Sequence, residues 1–364
     1  MEKVYSKFFT ASLKEDLTAK EVEEVIAFYE AEGYDNVLTK AKKEKMLPFV
    51  ASMMCRLHKD EQRWRESYLY FEERNTKIIS ELDRVYKAMD MAEVKKLFLS
   101  ENLGALLSSK RDIALFASGD ADNCSDYSEK DKIYRVMSSL GYNHEECMTG
   151  RRVGMTIFSN DSVMPDGFHI NICWGALYRE KQPDLFLIDD IGGWDNMRKY
   201  KNTSITLPST DTLLYICLLH ISLHSYNRKP GIRLYEDIYN VTFPNNVDWS
   251  NLLKWADCYG TKTRLITSAM ISNSLLGVSV PNSIEVGFNN RVVRRLIDMV
   301  FCDGFLKKEP TIIKVLMIEI LSYSTSSNYC NGLLRLLWPS KQWLVSSYGK
   351  NVFLSYINYI TRLF

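Results

Sequence analysis

Apolar residues recur at helical spacing in two long stretches of the chain, and between them the pattern shortens to strand-like runs. In the first stretch, Glu21 to Glu32 carries Val22, Val25, Ile26 and Tyr29 on one face, and Gly33 supplies a C-cap. Lys77 to Met91 places Ile78, Ile79, Leu82, Val85 and Met89 on one side. Neither has catalytic character, so this region reads as a scaffold or a partner-facing surface. In the middle, Ser128-Glu129-Lys130-Asp131 resembles a capping box. The helix it opens has Ile133, Val136, Met137 and Leu140 as its core face and Gly141 as its stop. Val153 to Phe158 and Phe168 to Trp174 read as strands of an antiparallel hairpin, with Pro165-Asp166-Gly167 before the second. Leu185 to Ile188 is one more candidate strand before Gly192-Gly193. In the last stretch, Ser209 or Thr210 caps a helix through His224, and Asp248 or Ser250 opens another near Trp249. Pro281, Pro310 and Pro339 punctuate the rest. The pattern predicts an α+β protein, a small mixed sheet (96–205) between an N-terminal helical region (1–95) and a C-terminal one (206–364).

Length and composition widen this picture only a little. The 364 residues, 46% hydrophobic and 25% charged, are enough for two or three domains. A net charge of +1 gives no overall field to attract nucleic acid or a membrane, and an RNA substrate gains no support. The eight cysteines are scattered without a Cys-x-x-Cys pair and read as free buried thiols. Met1 to Lys7 leads into a charged amphipathic stretch, not a signal peptide. No stretch supplies the roughly 20 apolar residues of a membrane span. Leu213 to Leu223 is short and contains His220. A cytoplasmic protein is expected.

The candidate chemistry lies in Ser118-Gly119-Asp120-Ala121-Asp122-Asn123. On extended backbone, Asp120 and Asp122 point to the same side. Carboxylates held that way can grip a hard cation such as Mg2+, or Mn2+, beside the phosphates of a nucleoside triphosphate. Gly119 lets the chain turn tightly before the pair. Gly104, in Asn102-Leu103-Gly104-Ala105, could let a triphosphate approach backbone N–H groups. Ser118 belongs to the same expected nucleotide pocket. Lys110-Arg111 and Arg151-Arg152 flank it, making Lys110 and Arg152 candidate phosphate contacts, although charges at loop ends are the commoner explanation. A solvated turn is the competing account of the aspartates. His220 and His224 share a helix face, but lack a His-Glu-x-x-His pattern or a third ligand, so packing between helices is the better reading. Gly-x-Ser-x-Gly, Walker-type and Gly-x-Gly-x-x-Gly motifs are absent from the sequence.

Taken in order, several segments resemble the uncharacterised nucleotidyltransferase family, a branch of the DNA polymerase β-like superfamily. They are Asn75 to Leu107, Gly119-Asp120-Ala121-Asp122, Leu140-Gly141-Tyr142, Leu207 to His224, Arg233 to Asp237, Asp248-Trp249, Leu337 to Ser340 and Trp343. The resemblance implies a nucleotidyltransferase-like sheet, with Asp120 and Asp122 as metal ligands and catalytic residues. It further implies metal-dependent transfer of a nucleotide or phosphoryl group to an unknown small-molecule, peptide or protein acceptor. Three departures stand out, one of them Cys173, where family members tend to have His before the Trp. Leu103 precedes the motif glycine where the family usually has lysine. Asn171 occupies the place of the superfamily's third carboxylate, on a strand where His169, Asn171 and Cys173 share one face and Ile170, Ile172 and Trp174 the other. An amide takes no proton from an attacking hydroxyl and is a poorer ligand for a hard cation. Asp184, Asp189 and Asp190 are nearby in sequence and are candidates to substitute. The alternative function is a catalytically degenerate member acting as a binding or scaffold module. A weaker third reading is a toxin-like or antiphage transferase.

Overall fold

The computed structural model describes residues 2–363 except 150–151, 176–186, 229–230, 244, 289, 304, 306–316, 319, 323–340, 342–343 and 345–350. Arg151, Asp184, Leu185, Pro310, Leu337 to Ser340 and Trp343 therefore lie outside the described residues.

Five helices come first: α1 (Glu2–Leu13), α2 (Ala19–Glu32), α3 (Tyr34–Lys43), α4 (Leu47–Arg56) and α5 (Glu61–Met91). Thr18 and Glu21 form a reciprocal capping box at the start of α2, and Gly33 ends it with its N–H on the Tyr29 carbonyl. The helix expected over Lys77 to Met91 starts sixteen residues earlier, at Glu61. Its first half is dense in charge and carries only an interrupted apolar stripe, which is why periodicity alone passed it over.

The middle of the chain builds β1 (Leu97–Leu99), α6 (Glu101–Ser108), β2 (Asp120–Ser125), α7 (Lys130–Ser139), β3 (Asn143–Thr149), β4 (Arg152–Ser159) and β5 (His169–Trp174). The sheet order is β1-β2-β5-β4-β3, in which β2 and β5 are parallel and every other neighbour is antiparallel. The expected β4–β5 hairpin is present. Ile113-Ala114-Leu115 forms a 3-10 turn ahead of β2. The helix expected to be capped at Ser128 is led in by Asp126, whose side chain accepts the Ser128 N–H. The Asp126 carboxylate closes a 3-10 turn there, in place of the capping box. β1 is three residues long, and residues Asn143 to Glu146 of β3 are exposed at the sheet edge. Neither carries an alternating apolar pattern, so neither is legible in sequence. Of the candidate strand at Leu185 to Ile188, only a bridge at Leu187 and a turn at Ile188 are described.

After the two-stranded ribbon β6 (Arg198–Lys199) and β7 (Thr206–Leu207), the chain is helical: α8 (Thr210–Leu223), α9 (Leu234–Thr242), α10 (Trp249–Cys258), α11 (Lys262–Leu276), α12 (Asn282–Phe288), α13 (Arg291–Asp303) and α14 (Val352–Leu363). Ser209 caps α8 and Asp248 caps α10, as their sequences predict. No described helix is long and apolar enough to cross a membrane.

One face of the sheet is sealed by α5 and α7. Tyr86 of α5 donates to Asn123, while Trp174 stacks on Tyr134 of α7 and donates its indole N–H to Thr156. The opposite face of β2 and β5 turns toward α6 and the helices α8 and α9 behind it. Phe9, Phe98 and Leu214, one from each of the three sequence regions, belong to a single connected apolar core.

Candidate active site

Parallel register places Asp120 beside His169 and Asp122 beside Asn171. Paired residues share a face, so the two aspartates, His169 and Asn171 converge on the side opposite α5. The Asn171 amide Nδ2 lies 3.2 Å from Asp120 Oδ2 and 2.9 Å from Asp122 Oδ1, donating to both. Its Oδ1 is buried and has no hydrogen-bond partner among the described residues. His169 Nε2 is 3.8 Å from Asp120 Oδ2, and both side chains are about one-third exposed, so the mouth of the site lies on their side.

Asp122 is the deeper carboxylate. Its Oδ2 accepts from Asn102 Nδ2 at 2.9 Å, and Asn102 Oδ1 in turn accepts from Arg233 Nη2 at 3.2 Å. The Asp122 backbone carbonyl accepts from the N–H and hydroxyl of Ser100, which ties β2 to the start of α6. Between Ser100 and Asn102, Glu101 adopts a left-handed φ of 45°. A non-glycine residue in that region is held there by its surroundings. Here the hold is an ion pair: Glu101 is buried, with Oε2 2.9 Å from His220 Nδ1.

Acidic groups crowd this spot. Burial first, then the charges of Asp120 and Glu101, push the Asp122 carboxyl well above the usual carboxylate range, against the pull of the Asn171 hydrogen bond. Burial alone pulls His220 down, but Glu101, Asp122 and Asp237 outweigh it and lift its pKa to about 9. Burial raises Asp237 to about 7 despite Arg233. Asp122 therefore calls for a proton or a cation. Among the described residues no three His, Cys, Asp or Glu side chains form a ready-made metal cage. Two carboxylates nonetheless fit a single hard cation that completes its shell with phosphate oxygens and water, the usual way magnesium is held.

The loop before Asp120 is anchored from α5. Arg74 Nη2 donates to the Ser118 carbonyl at 2.9 Å, and Asn75 Nδ2 donates to the carbonyls of Ile113 and Phe116. The Ser118 hydroxyl donates to Asp120 Oδ1, and the position where Gly119 would carry a side chain is open. Ser118 and Gly119 thus sit at the aspartates. Gly104 has a different place. Its N–H bonds to the Ser100 carbonyl within α6, and a Cβ on it would lie 2.7 Å from the Leu99 carbonyl oxygen. The expected phosphate donor at Gly104 is therefore occupied, and the glycine's visible role is to let α6 press against β1. Leu103, where the family usually has lysine, is fully buried and brings no cation.

Lys110 lines a small cavity with Glu15, Tyr239 and Phe243. It follows the C-terminal end of α6, whose eight residues put it roughly 12 Å from the Asp122 end. Arg152 starts β4, seven residues from Ser159, which pairs with His169. Its backbone is thus about 20 Å along the sheet from the aspartates. Asp189 pairs with Lys96, which also holds Asp126 just past the far end of β2. Asp189, with Asp190 beside it in the same 3-10 turn, therefore stands away from the gap at Asn171.

Sequence reasoning assigned no site role to Glu101, Asn102, Arg233 or Asp237. The available signal was polar residues inside apolar runs: Glu101-Asn102 opens the otherwise apolar α6, and His220 interrupts α8. Two aspartates on one strand of a mixed sheet, beside a parallel strand and a helix that starts at their backs, define a nucleotidyltransferase-type protein. A family model described as uncharacterised nucleotidyltransferase matches residues 30–277, and the chain belongs to that family. A comparison with curated proteins gave no match.

Proposed function

We propose that this site carries out metal-assisted transfer of a nucleotide or phosphoryl group from a nucleoside triphosphate to a hydroxyl of a small-molecule, peptide or protein acceptor. The observation that carries the reading is the convergence of Asp120, Asp122 and Asn171 within hydrogen-bond reach on one sheet face. Asp120 and Asp122 would hold Mg2+ or Mn2+, which when bound neutralises the phosphate charge that develops during transfer. Asn102 and Ser100 keep Asp122 in place from behind. The open space at Gly119 and the exposed rim at His169 leave room for the triphosphate. Asn171 cannot accept the acceptor's proton as a base, so positioning and charge neutralisation carry the catalysis.

A second reading, a degenerate member that binds nucleotide or a partner without transfer, is favoured by Asn171 and by the buried Leu103. Calorimetric titration of ATP, GTP, CTP and UTP with and without Mg2+ tests the first reading, using the wild type and an Asp120→Asn/Asp122→Asn double variant. Metal-dependent binding that disappears in the double variant supports a working nucleotide site. No binding of any nucleotide at millimolar concentration rejects it and turns attention to a protein partner.

A further inference from the structure

Two amides grip Asp122, and they are held differently. Asn102 is locked: its Oδ1 accepts from the Arg233 guanidinium and its Nδ2 donates to Asp122. Turning it would put N–H against guanidinium and oxygen against carboxylate, two repulsive contacts. Asn171 has no such lock. Its Nδ2 bridges Asp120 and Asp122, while its Oδ1, on a side chain only 5% exposed, has no partner among the described residues.

We propose that the Asn171 amide is a turning ligand. When a divalent cation reaches Asp120 and Asp122, the amide rotates by half a turn and presents Oδ1 as the third protein oxygen. This rests on the reading of the site given above. Amide oxygen and nitrogen are nearly equal in size, so the turn needs no extra room. It gives up the two bonds that Nδ2 donates to the carboxylates and leaves the N–H2 group unpartnered where Oδ1 was, so the bond from Oδ1 to the cation must outweigh that loss. The sign of the charge between the carboxylates then decides the orientation. Without a cation, the N–H2 group faces two anionic groups and relieves their repulsion. With one, the N–H dipoles would oppose the metal and the carbonyl oxygen would attract it. An amide oxygen is a regular ligand of hard cations, weaker than a carboxylate but in the place where the superfamily has one.

The test titrates Mn2+ alone, followed by electron paramagnetic resonance, into the wild type, Asn171→Leu, Asn171→Asp and the Asp120→Asn/Asp122→Asn double variant. Asn171→Leu keeps the shape without either polar atom. It should bind Mn2+ at least about tenfold more weakly than the wild type, by comparison with the loss of supporting groups at metal sites, and Asn171→Asp should bind more tightly. If Asn171→Leu binds Mn2+ as well as or better than the wild type, the amide was only an obstacle and the proposal fails. Should Asn171→Leu not fold, the side-chain amide signals of the wild type decide. On addition of Mg2+ the Asn171 N–H2 protons should lose their hydrogen bonds to the carboxylates while those of Asn102 keep theirs to Asp122, and an Asn171 amide that stays hydrogen-bonded to the carboxylates refutes the turn. Mn2+ uptake that is absent even from Asn171→Asp, or that survives in the double variant, overturns the reading of the site itself. Uptake lost in the double variant but intact in Asn171→Leu overturns the turning ligand alone.

Discussion

Gly104→Ala separates two roles for one glycine. In an ordinary helix, alanine is favoured over glycine by about 0.5–1 kcal/mol, because glycine loses more backbone freedom on folding. At this position the added Cβ would sit 2.7 Å from the Leu99 carbonyl oxygen and 3.1 Å from its carbon. That is about 0.7 Å short of ordinary contact, which begins near 3.4 Å. The obstructing atoms are backbone of β1, held in the sheet by β2, so neither side can swing aside as a flexible side chain would. Overpacking of this kind costs about 1–3 kcal/mol, and the rigidity of both partners puts it toward the upper end. After the helix-propensity gain, the net loss should be about 1–2 kcal/mol. Urea denaturation of wild type and variant measures it directly. Gly119→Ala, with open space around the added Cβ, is the control and should stay within about 0.5 kcal/mol of the wild type. If Gly104→Ala is as stable as the wild type or more so, α6 is not pressed against β1 and the packing argument is wrong. A variant of undiminished stability whose nucleotide affinity collapses would instead return Gly104 to the phosphate pocket.

Asn75→Leu should cost about 1–3 kcal/mol, because it removes the bond to the buried Phe116 carbonyl and one of the two bonds to the Ile113 carbonyl, which keeps the Phe116 N–H. A fall in thermal stability corresponding to less than about 0.5 kcal/mol would show that those carbonyls find other partners. The His220 pKa is raised from 6.5 to about 9, so its contribution to stability is fully present below pH 6.5 and is lost as pH rises to about 9. The stability advantage of wild type over His220→Gln should therefore shrink between those limits. Asp237, raised from 3.8 to about 7, loses its own contribution between those two values, so measurements above pH 7 exclude the Asp237 titration. A wild-type advantage that does not change from pH 7 to above pH 9 would refute the charged Glu101–His220 pair. Arg233→Met should release the Asn102 amide, and weaker Mg2+-dependent nucleotide binding by calorimetry would report it, while unchanged binding would show that Asn102 holds Asp122 unaided.

What the sequence determined by itself was local. Capping residues marked the starts of α8 and α10, Gly33 and Gly141 marked helix ends, and the alternation of a strand put Asp120 with Asp122 and His169 with Asn171 on common faces. These follow from bonds and periodicities that span a few residues, so they are present in any short window of the chain. The segments in family order went further and pointed to the nucleotidyltransferase class. Only the tertiary structure decided which face met which. The parallel register brings Asn171 to carboxylates 49 and 51 residues away, and Arg233 reaches Asn102 across 131 residues. It also gave Gly104 a packing role and carried Arg152 and Asp189 away from the cleft that their sequence positions suggested. Hydrogen bonds and contacts of this kind depend on where whole elements dock. Docking is set by the burial of many apolar side chains at once, Phe98, Trp174 and Leu214 among them, and no local pattern records it.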